Sequence, residues 1–193
     1  MAEEITRQSR KRNKTHTNIL HNAKRLFEEK GLTNVTIDEI AESADISRST
    51  FFNHFSSLDE LNIEICYEEI KDLLSIVNEK NHSGVDNIKQ VLFKLVEDTY
   101  PYPKLVSSLF IQGILKSDSS AGFSSIHELI KEELSGSVLS TDDFTTDELT
   151  ALIIGAFFGL IFQKFIKGEA FDNDTNIKNT ITKLLNHIVI KED

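Results

Sequence analysis

The sequence predicts an all-α protein in which a three-helix helix-turn-helix domain is followed by a second, all-helical domain. Apolar side chains recur every three or four residues through most of the chain, which is the period of a helix and not of a strand. The interruptions "YPYP", "SDSSAG" and "GEAFDND" carry turn residues that end or separate helices. No repeat of solenoid period and no low-complexity segment is present.

The first helix is predicted over residues 15–30. Gly31 follows it, at the position where a left-handed cap is expected. The apolar stripe of this helix consists of Ile19, Ala23, Leu26 and Phe27.

The second helix is predicted to be short and to begin after Thr36, which stands in capping-box spacing with Glu39. The turn "DIS" follows, and Asp45 occupies a position that favours a left-handed or similar conformation. Ser47 is then a good N-cap for a third helix. The buried side chains of the second helix are predicted to be Ile37, Ile40, Ala41 and Ala44.

The third helix raises the question of why two phenylalanines are adjacent, since neighbouring helical residues point about 100° apart. Phe51 and Phe55 are four residues apart and are predicted to join the core. Phe52 therefore faces another surface. In a helix-turn-helix, the second helix of the motif enters the major groove of DNA by its N-terminal residues.

The rest of the chain is predicted to be helical with short breaks. The predicted helices cover residues 58–79, 85–99, 104–117, 124–135, 146–167 and 175–190. The longest apolar stretch, residues 149–162, is shorter than the roughly 20 residues that a membrane span requires, so it is interpreted as a buried helix and no membrane partner is expected.

The charge of the chain is unevenly distributed. The 193 residues carry a net charge of −10, but residues 1–57 have nine basic and eight acidic side chains, a balance of +1. Residues 58–193 have twelve basic and 23 acidic side chains, a balance of −11. A polyanion responds to the local field, so the acidic total does not exclude DNA binding by the N-terminal part. The single cysteine and the charged N-terminus favour a cytoplasmic location.

The stretch "TIDEIAESADISRSTFFNHFSSLDEL" resembles the DNA-binding signature of TetR-family transcriptional repressors. The resemblance covers roughly residues 15–63 and departs from the family pattern at Asp45, Phe52 and Leu58, where the family usually has Gly, Tyr and Lys. It implies a DNA-binding domain over residues 1–57 and an effector-binding and dimerisation domain over residues 58–193. The expected activity is repression of transcription from a double-stranded DNA operator, relieved by a small, hydrophobic or cationic molecule.

The predicted DNA contacts lie on and around the third helix. Arg48 favours guanine and Asn53 favours adenine, while Phe52 is expected against sugar or a thymine methyl group. Their alternative role is an ordinary solvated helix face. By resemblance, His54 and Thr36 contact phosphate, although simple capping also explains Thr36. The DNA-facing set is Thr36, Ser47, Arg48, Ser49, Thr50, Phe52, Asn53 and His54.

A basic arm is predicted to precede the first helix and to attach to the minor groove or the DNA backbone. A disordered, solubilising tail is the alternative interpretation. The basic side chains of this arm are Arg7, Arg10, Lys11, Arg12 and Lys14.

By resemblance, the last two long helices form a homodimer interface. Gly155 and Gly159 allow close approach of a neighbouring helix, with a matching stripe in the last helix made of Ile177, Ile181, Leu184, Leu185 and Ile188. The family also places a ligand pocket in this domain. The candidate lining residues are Phe93, Tyr102, Phe110, Gln112, His127, Phe158 and Phe162.

An enzyme is not predicted, because the sequence has no CxxC, HExxH, GxSxG, Walker or GxGxxG motif and its six histidines lack metal-ligand spacing. No cofactor and no metal are expected. Two alternatives stay open: a DNA-binding dimer without a small-molecule effector, acting architecturally or under a protein partner, and a helical enzyme or carrier whose N-terminal motif is incidental.

Overall fold

The computed structural model describes residues 7–78, 84–115, 122–137 and 143–188. Within these ranges the chain forms nine α-helices and no strand, which confirms the all-α prediction. The helices are α1 Arg7–Lys30, α2 Ile37–Ser43, α3 Arg48–Phe52, α4 Leu58–Asn78, α5 Val85–Thr99, α6 Pro103–Leu115, α7 Gly122–Ser135, α8 Thr146–Lys167 and α9 Thr175–Ile188. The predicted helix ends at residues 79, 116–117 and 189–190 lie outside the described residues.

The chain divides into two compact units. The N-terminal unit comprises residues 1–66 and 104–112, and the C-terminal unit comprises residues 67–103 and 113–193. These units follow packing, whereas the predicted boundary after residue 57 follows the sequence motif. The boundary after residue 57 stays a prediction about which residues bind DNA and which bind the effector and form the dimer.

The first turn of α6 is tied to α1 inside the N-terminal unit. The backbone N–H groups of Lys104 and Leu105 both donate to Glu28 Oε2, each at 2.9 Å. A helix N-terminus has unpaired N–H groups and a partial positive charge, so a carboxylate from a neighbouring helix satisfies both.

Helix α1 begins at Arg7, eight residues before its predicted start at residue 15. The predicted basic arm is therefore wrong as a separate tail, because its basic residues form the first two turns of α1. Residues 7–14 have no apolar stripe, so periodicity gave no signal there, yet Arg, Lys and Gln are good helix formers.

The core of the N-terminal unit is built from the apolar faces of α1, α2, α3 and the start of α4. The turn between α2 and α3 contains Asp45 at φ 54°, and Gly31 after α1 has φ 85°, as the sequence predicts for both. The most deeply buried side chains are Ile19, Ala23, Phe27, Ile40, Phe51, Phe55, Leu61 and Ile65.

In the C-terminal unit, α5 packs against α7 and α9, and α8 packs against α7 and α9. Helix α8 starts with a capping box between Thr145 and Glu148 and ends at Gly168 in the left-handed conformation. The predicted dimer stripe of α9 is wrong, because four of its five residues are buried within the chain and Leu184 is only half-exposed. Apolar residues spaced three and four apart fit burial against α5 and α8 as well as they fit a dimer interface.

Helix α8 is apolar on nearly every side, but only one face of it is covered. Ile153, Phe157 and Ile161 are buried, whereas Leu152 is 50% exposed and Ile166 is 85% exposed. The prediction of a buried helix is therefore correct for one face only. Among the described residues, α8 is the one helix long and apolar enough to cross a membrane by length and composition alone, and 33% of its most apolar stretch is buried within the chain.

Candidate nucleic-acid interface

Ser47 begins the third helix, as predicted. Its Oγ accepts a hydrogen bond from the backbone N–H of Thr50 at 3.1 Å and lies 2.8 Å from the hydroxyl oxygens of both Ser49 and Thr50. This capping holds the first turn of α3, so the three hydroxyl groups lie together beside the N-terminus of the helix.

The two adjacent phenylalanines are divided between the core and the surface. Phe51 is completely buried and packs with Phe55, while Phe52 is 44% exposed and meets the Phe51 ring edge to face. The core contact fixes the rotation of α3 about its axis. Arg48, Ser49 and Asn53 are consequently exposed together with Phe52.

Arg48 has two partners that the sequence did not indicate. Its Nη1 lies 2.6 Å from both carboxylate oxygens of Asp38, in the first turn of α2, and its guanidinium lies 5.5 Å from the centre of the Phe52 ring. The nine residues between Asp38 and Arg48 include a turn, so no helical spacing could have revealed this pair. Aspartate is common in the first turn of a helix because it interacts favourably with the helix dipole, so Asp38 gave no specific sign of a partner.

Thr36 is the N-cap of α2, which confirms the predicted capping box. The Glu39 N–H donates to Thr36 Oγ1 at 3.3 Å, and Glu39 Oε2 accepts from the Thr36 N–H at 2.8 Å. Lys30 Nζ donates to the other Glu39 oxygen at 2.6 Å. These hydrogen bonds lower the pKa of Glu39 from 4.5 to about 2, and the bond from Lys30 contributes more than those from Thr36. Phosphate contact by Thr36 stays a prediction.

His54, at the end of the motif, belongs to a cluster that the sequence did not reveal. The ring of His16 from α1 lies 5.5 Å from the His54 ring and stacks on Phe55 at 4.7 Å. His16 Nε2 is 2.5 Å from Glu64 Oε1, a side chain of α4. Burial, followed by the charges of His16 and Arg12, lowers the pKa of His54.

The protonation of His54 follows from its surroundings. Its Nδ1 is buried and has no hydrogen-bond partner in the described part of the chain. A proton on Nδ1 would leave a buried donor without an acceptor, whereas a neutral ring with its proton on Nε2 leaves only a lone pair there. A donor on Nε2 is the form suited to a phosphate oxygen.

The five basic residues in the first two turns of α1 lie on two sides of the helix. Arg12 is close enough to His54 to affect its pKa. A spacing of three, four and seven residues places the other four on one exposed face, which consists of Arg7, Arg10, Lys11 and Lys14. The arrangement forms a basic stripe along the first two turns of α1.

The candidate pocket residues belong to both units of the chain. Phe93 is half-buried, with Lys89 Nζ and Lys178 Nζ each 5.5 Å from its ring centre. Phe158 is buried and packs with Phe162, whose ring centre is 6.2 Å away.

The remaining four also differ in place. His127 lies 3.4 Å from Glu128, and Tyr102 is half-buried. Phe110 and Gln112 belong to the N-terminal unit, and the side chain of Gln112 lies outside the described residues. The seven residues stay a prediction.

Comparison with known proteins identifies the helix-turn-helix. Residues 19–65 match the model of the family described as bacterial regulatory proteins, tetR family. The matched stretch runs from the buried part of α1 to the start of α4 and includes every residue of α2 and α3.

Two relatives carry the same descriptive name, biofilm operon icaADBC HTH-type negative transcriptional regulator IcaR. The one from Staphylococcus epidermidis is 28% identical over 87% of this chain and 95% of that protein. The one from Staphylococcus aureus is 30% identical over 42% of this chain and 45% of that protein. The chain thus spans less than half the length of the Staphylococcus aureus relative.

Solved structures share the fold. The fatty acid degradation regulator FadR from Bacillus halodurans has a TM-score of 0.71 at 16% identity, covering 88% of this chain and 93% of that one. A transcriptional regulator from Aquifex aeolicus has a TM-score of 0.66 at 23% identity, covering 88% of this chain and 96% of that one. At these identities the likeness concerns the fold alone. Residues 19–65 thus form the helix-turn-helix of the tetR family of bacterial regulatory proteins, and the two relatives named above are negative transcriptional regulators.

Proposed function

We propose that this chain represses transcription by binding a DNA operator through α3, as a homodimer that a small molecule releases. The observation that carries the proposal is the division of α3 into two faces. Phe51 is buried in the core, while Arg48, Ser49 and Asn53 are exposed next to a half-exposed Phe52. Arg and Asn are the side chains that pair with the major-groove edges of guanine and adenine. The word "negative" in the names of the relatives supports repression over activation.

Contacts to the DNA backbone provide affinity without sequence preference. We assign them to the basic stripe of α1, to His54 through its Nε2 donor and to the N-terminus of α2 at Thr36. All of these groups belong to the N-terminal unit, and all are at least partly exposed. The stripe has four cations on one face, which is the arrangement that a line of phosphates attracts.

The dimer is assigned to α8 and α9, with α8 providing the apolar surface. Leu152, Gly155, Gly159 and Ile166 follow helical spacing and are exposed. A Cβ added at Gly155 or Gly159 meets no atom within 4 Å. A second copy would cover this stripe, and its two-fold symmetry suits two half-sites on DNA. The polar face of α9 would form the rim of the interface.

The effector is proposed to be an apolar molecule or a lipophilic cation that binds the C-terminal domain. Residues 58–193 carry a charge of −11, and no cluster of Lys or Arg interrupts residues 104–115 or 146–163. A ligand that binds the DNA-incompetent arrangement more tightly needs a coupling of roughly 1 to 3 kcal/mol to weaken operator binding about 5- to 150-fold. Screening operator release with matched neutral, cationic and anionic compounds tests this, and hits confined to polyanions would contradict it.

The repressor function is tested by incubating the full-length protein with fragmented genomic DNA and sequencing the bound fraction. Because the target is chromosomal, we place the protein in the cytoplasm. The expected result is a small set of fragments sharing a two-fold symmetric sequence, absent when Arg48 and Asn53 are both replaced by Ala. Retention of random fragments alone by both proteins would refute sequence-specific binding.

A further inference from the structure

The pair between Asp38 and Arg48 carries an inference beyond the assignment of Arg48 to a base. Both side chains are exposed, at 57% for Arg48 and 66% for Asp38. An ion pair in such a position adds little to the stability of a fold, because water screens it and both side chains lose rotamer freedom. The pair is therefore better explained by what it does to the position of Arg48.

Two contacts restrict the guanidinium from different sides. The carboxylate of Asp38 accepts hydrogen bonds from Nη1 of Arg48, which lies 2.6 Å from each carboxylate oxygen. The centre of the exposed Phe52 ring lies 5.5 Å from the guanidinium carbon. In the described part of the chain, Nη2 and Nε of Arg48 make no hydrogen bond. An arginine has five donors in a rigid planar fork, so one edge can be held by a carboxylate while the other pairs with two acceptors.

We propose that Asp38 is a positioning residue that presents the remaining edge of Arg48 to one base pair in each half-site. A freely rotating arginine loses conformational entropy when it binds a base and also pairs readily with phosphate, which carries no sequence information. Asp38 reduces the entropy loss because it already restricts the Arg48 side chain. It reduces pairing with phosphate because its negative charge opposes phosphate contact. Asp38 thus raises discrimination while lowering general affinity for DNA. The inference rests on the proposed DNA-binding function.

These two effects have opposite signs and can be measured separately. In the Asp38→Asn variant, discrimination at the base pair read by Arg48 is expected to fall roughly 2- to 5-fold, the range that an exposed pair contributes. Affinity for random duplex DNA is expected to rise, because a negative charge beside the DNA is removed. A variant with a purely structural defect would lose affinity for every sequence instead.

Glu42→Gln is the matched control. Glu42 is also exposed on α2, and its replacement removes the same unit of charge. In the described part of the chain, the hydrogen bonds and ion pair of Arg48 are made with Asp38 and not with Glu42. This variant is expected to keep the wild-type base preference, whatever its effect on general affinity. Thermal melting of each full-length variant shows whether the fold is retained.

The experiment selects bound duplexes from a randomised pool with wild type, Arg48→Ala, Asp38→Asn, Glu42→Gln and the double variant Asp38→Asn/Arg48→Ala. The inference expects Asp38→Asn to weaken preference at the same base pair as Arg48→Ala, and to add no further change in preference when Arg48 is absent. If Asp38→Asn keeps the wild-type preference, or changes only the affinity for all DNA as Glu42→Gln does, Asp38 is not a positioning residue. If wild type itself selects no sequence, the proposed function fails and the outcome is distinct from failure of this inference.

Discussion

Replacing Gly159 by Leu separates the stability of one protomer from the stability of the dimer. Within a protomer, a Cβ at this position meets no atom within 4 Å, so the first carbon of a side chain points into open space. Gly159 is in the interior of α8, where glycine is less favourable than alanine by about 0.8 to 1.0 kcal/mol and leucine ranks just below alanine. The isolated protomer is therefore expected to be unchanged or slightly more stable.

The dimer is expected to respond in the opposite direction. Forcing extra methylene groups into a packed contact costs about 1 to 3 kcal/mol, and a two-fold interface contains the position twice, which makes about 2 to 6 kcal/mol. Since about 1.4 kcal/mol corresponds to a factor of ten, the dimer dissociation constant would rise roughly 30-fold to more than 10⁴-fold.

Sedimentation equilibrium over a range of concentrations gives the dissociation constant, and urea unfolding at concentrations where the variant is monomeric gives the stability of the protomer. Ser135→Leu, which adds a leucine at an exposed position on α7, controls for a general effect of surface leucine. An unchanged dissociation constant for Gly159→Leu would show that the open face of α8 is not the interface. A destabilised monomer would show that the space around Gly159 is not available to a side chain.

Three further outcomes are expected. Arg48→Ala should relax preference at one base pair per half-site by about 1 to 3 kcal/mol in competition binding, and an equal loss on random DNA would reassign Arg48 to phosphate. Replacing all four basic residues of the α1 stripe by Gln should flatten the plot of log K against log salt by up to about 0.9 for each phosphate that the protein no longer neutralises, and an unchanged slope would exclude the stripe from the interface. Glu39→Gln should destabilise the fold at neutral pH in urea unfolding. Because the folded-state pKa of Glu39 is lowered to about 2, its stabilisation is present above pH 4.5 and is lost as the pH falls towards 2, so the difference from wild type should shrink over that range. A difference that stays constant with pH would mean that the carboxylate charge is not its source.

The local features of the motif follow from the order of the residues. Ser47 as N-cap, the capping box at Thr36 and the left-handed conformation of Asp45 each depend on groups a few residues apart, so spacing and residue type were sufficient. The different directions of Phe51 and Phe52 follow from the 100° rotation per helical residue, once one of them is assigned to the core.

Other features required the packing of whole helices. The early start of α1 was missed because residues 7–14 form no apolar stripe, although helix formation there needs only good helix formers and a packed continuation. The pairing of Asp38 with Arg48, and the approach of His16 to His54, join residues on different helices. No spacing along the chain encodes such contacts, because they depend on the angle and rotation at which the helices cross.

Helices α8 and α9 illustrate the same limit at larger scale. Both carry apolar residues at helical spacing, and the sequence could not distinguish a stripe that packs inside one protomer from a stripe left for a second copy. In the folded chain Ile177 and Ile181 of α9 are buried, while Leu152 and Ile166 of α8 are exposed. Periodicity reveals that a face avoids water, and only the tertiary arrangement decides what covers it, because burial depends on which surfaces remain after the neighbouring helices have packed.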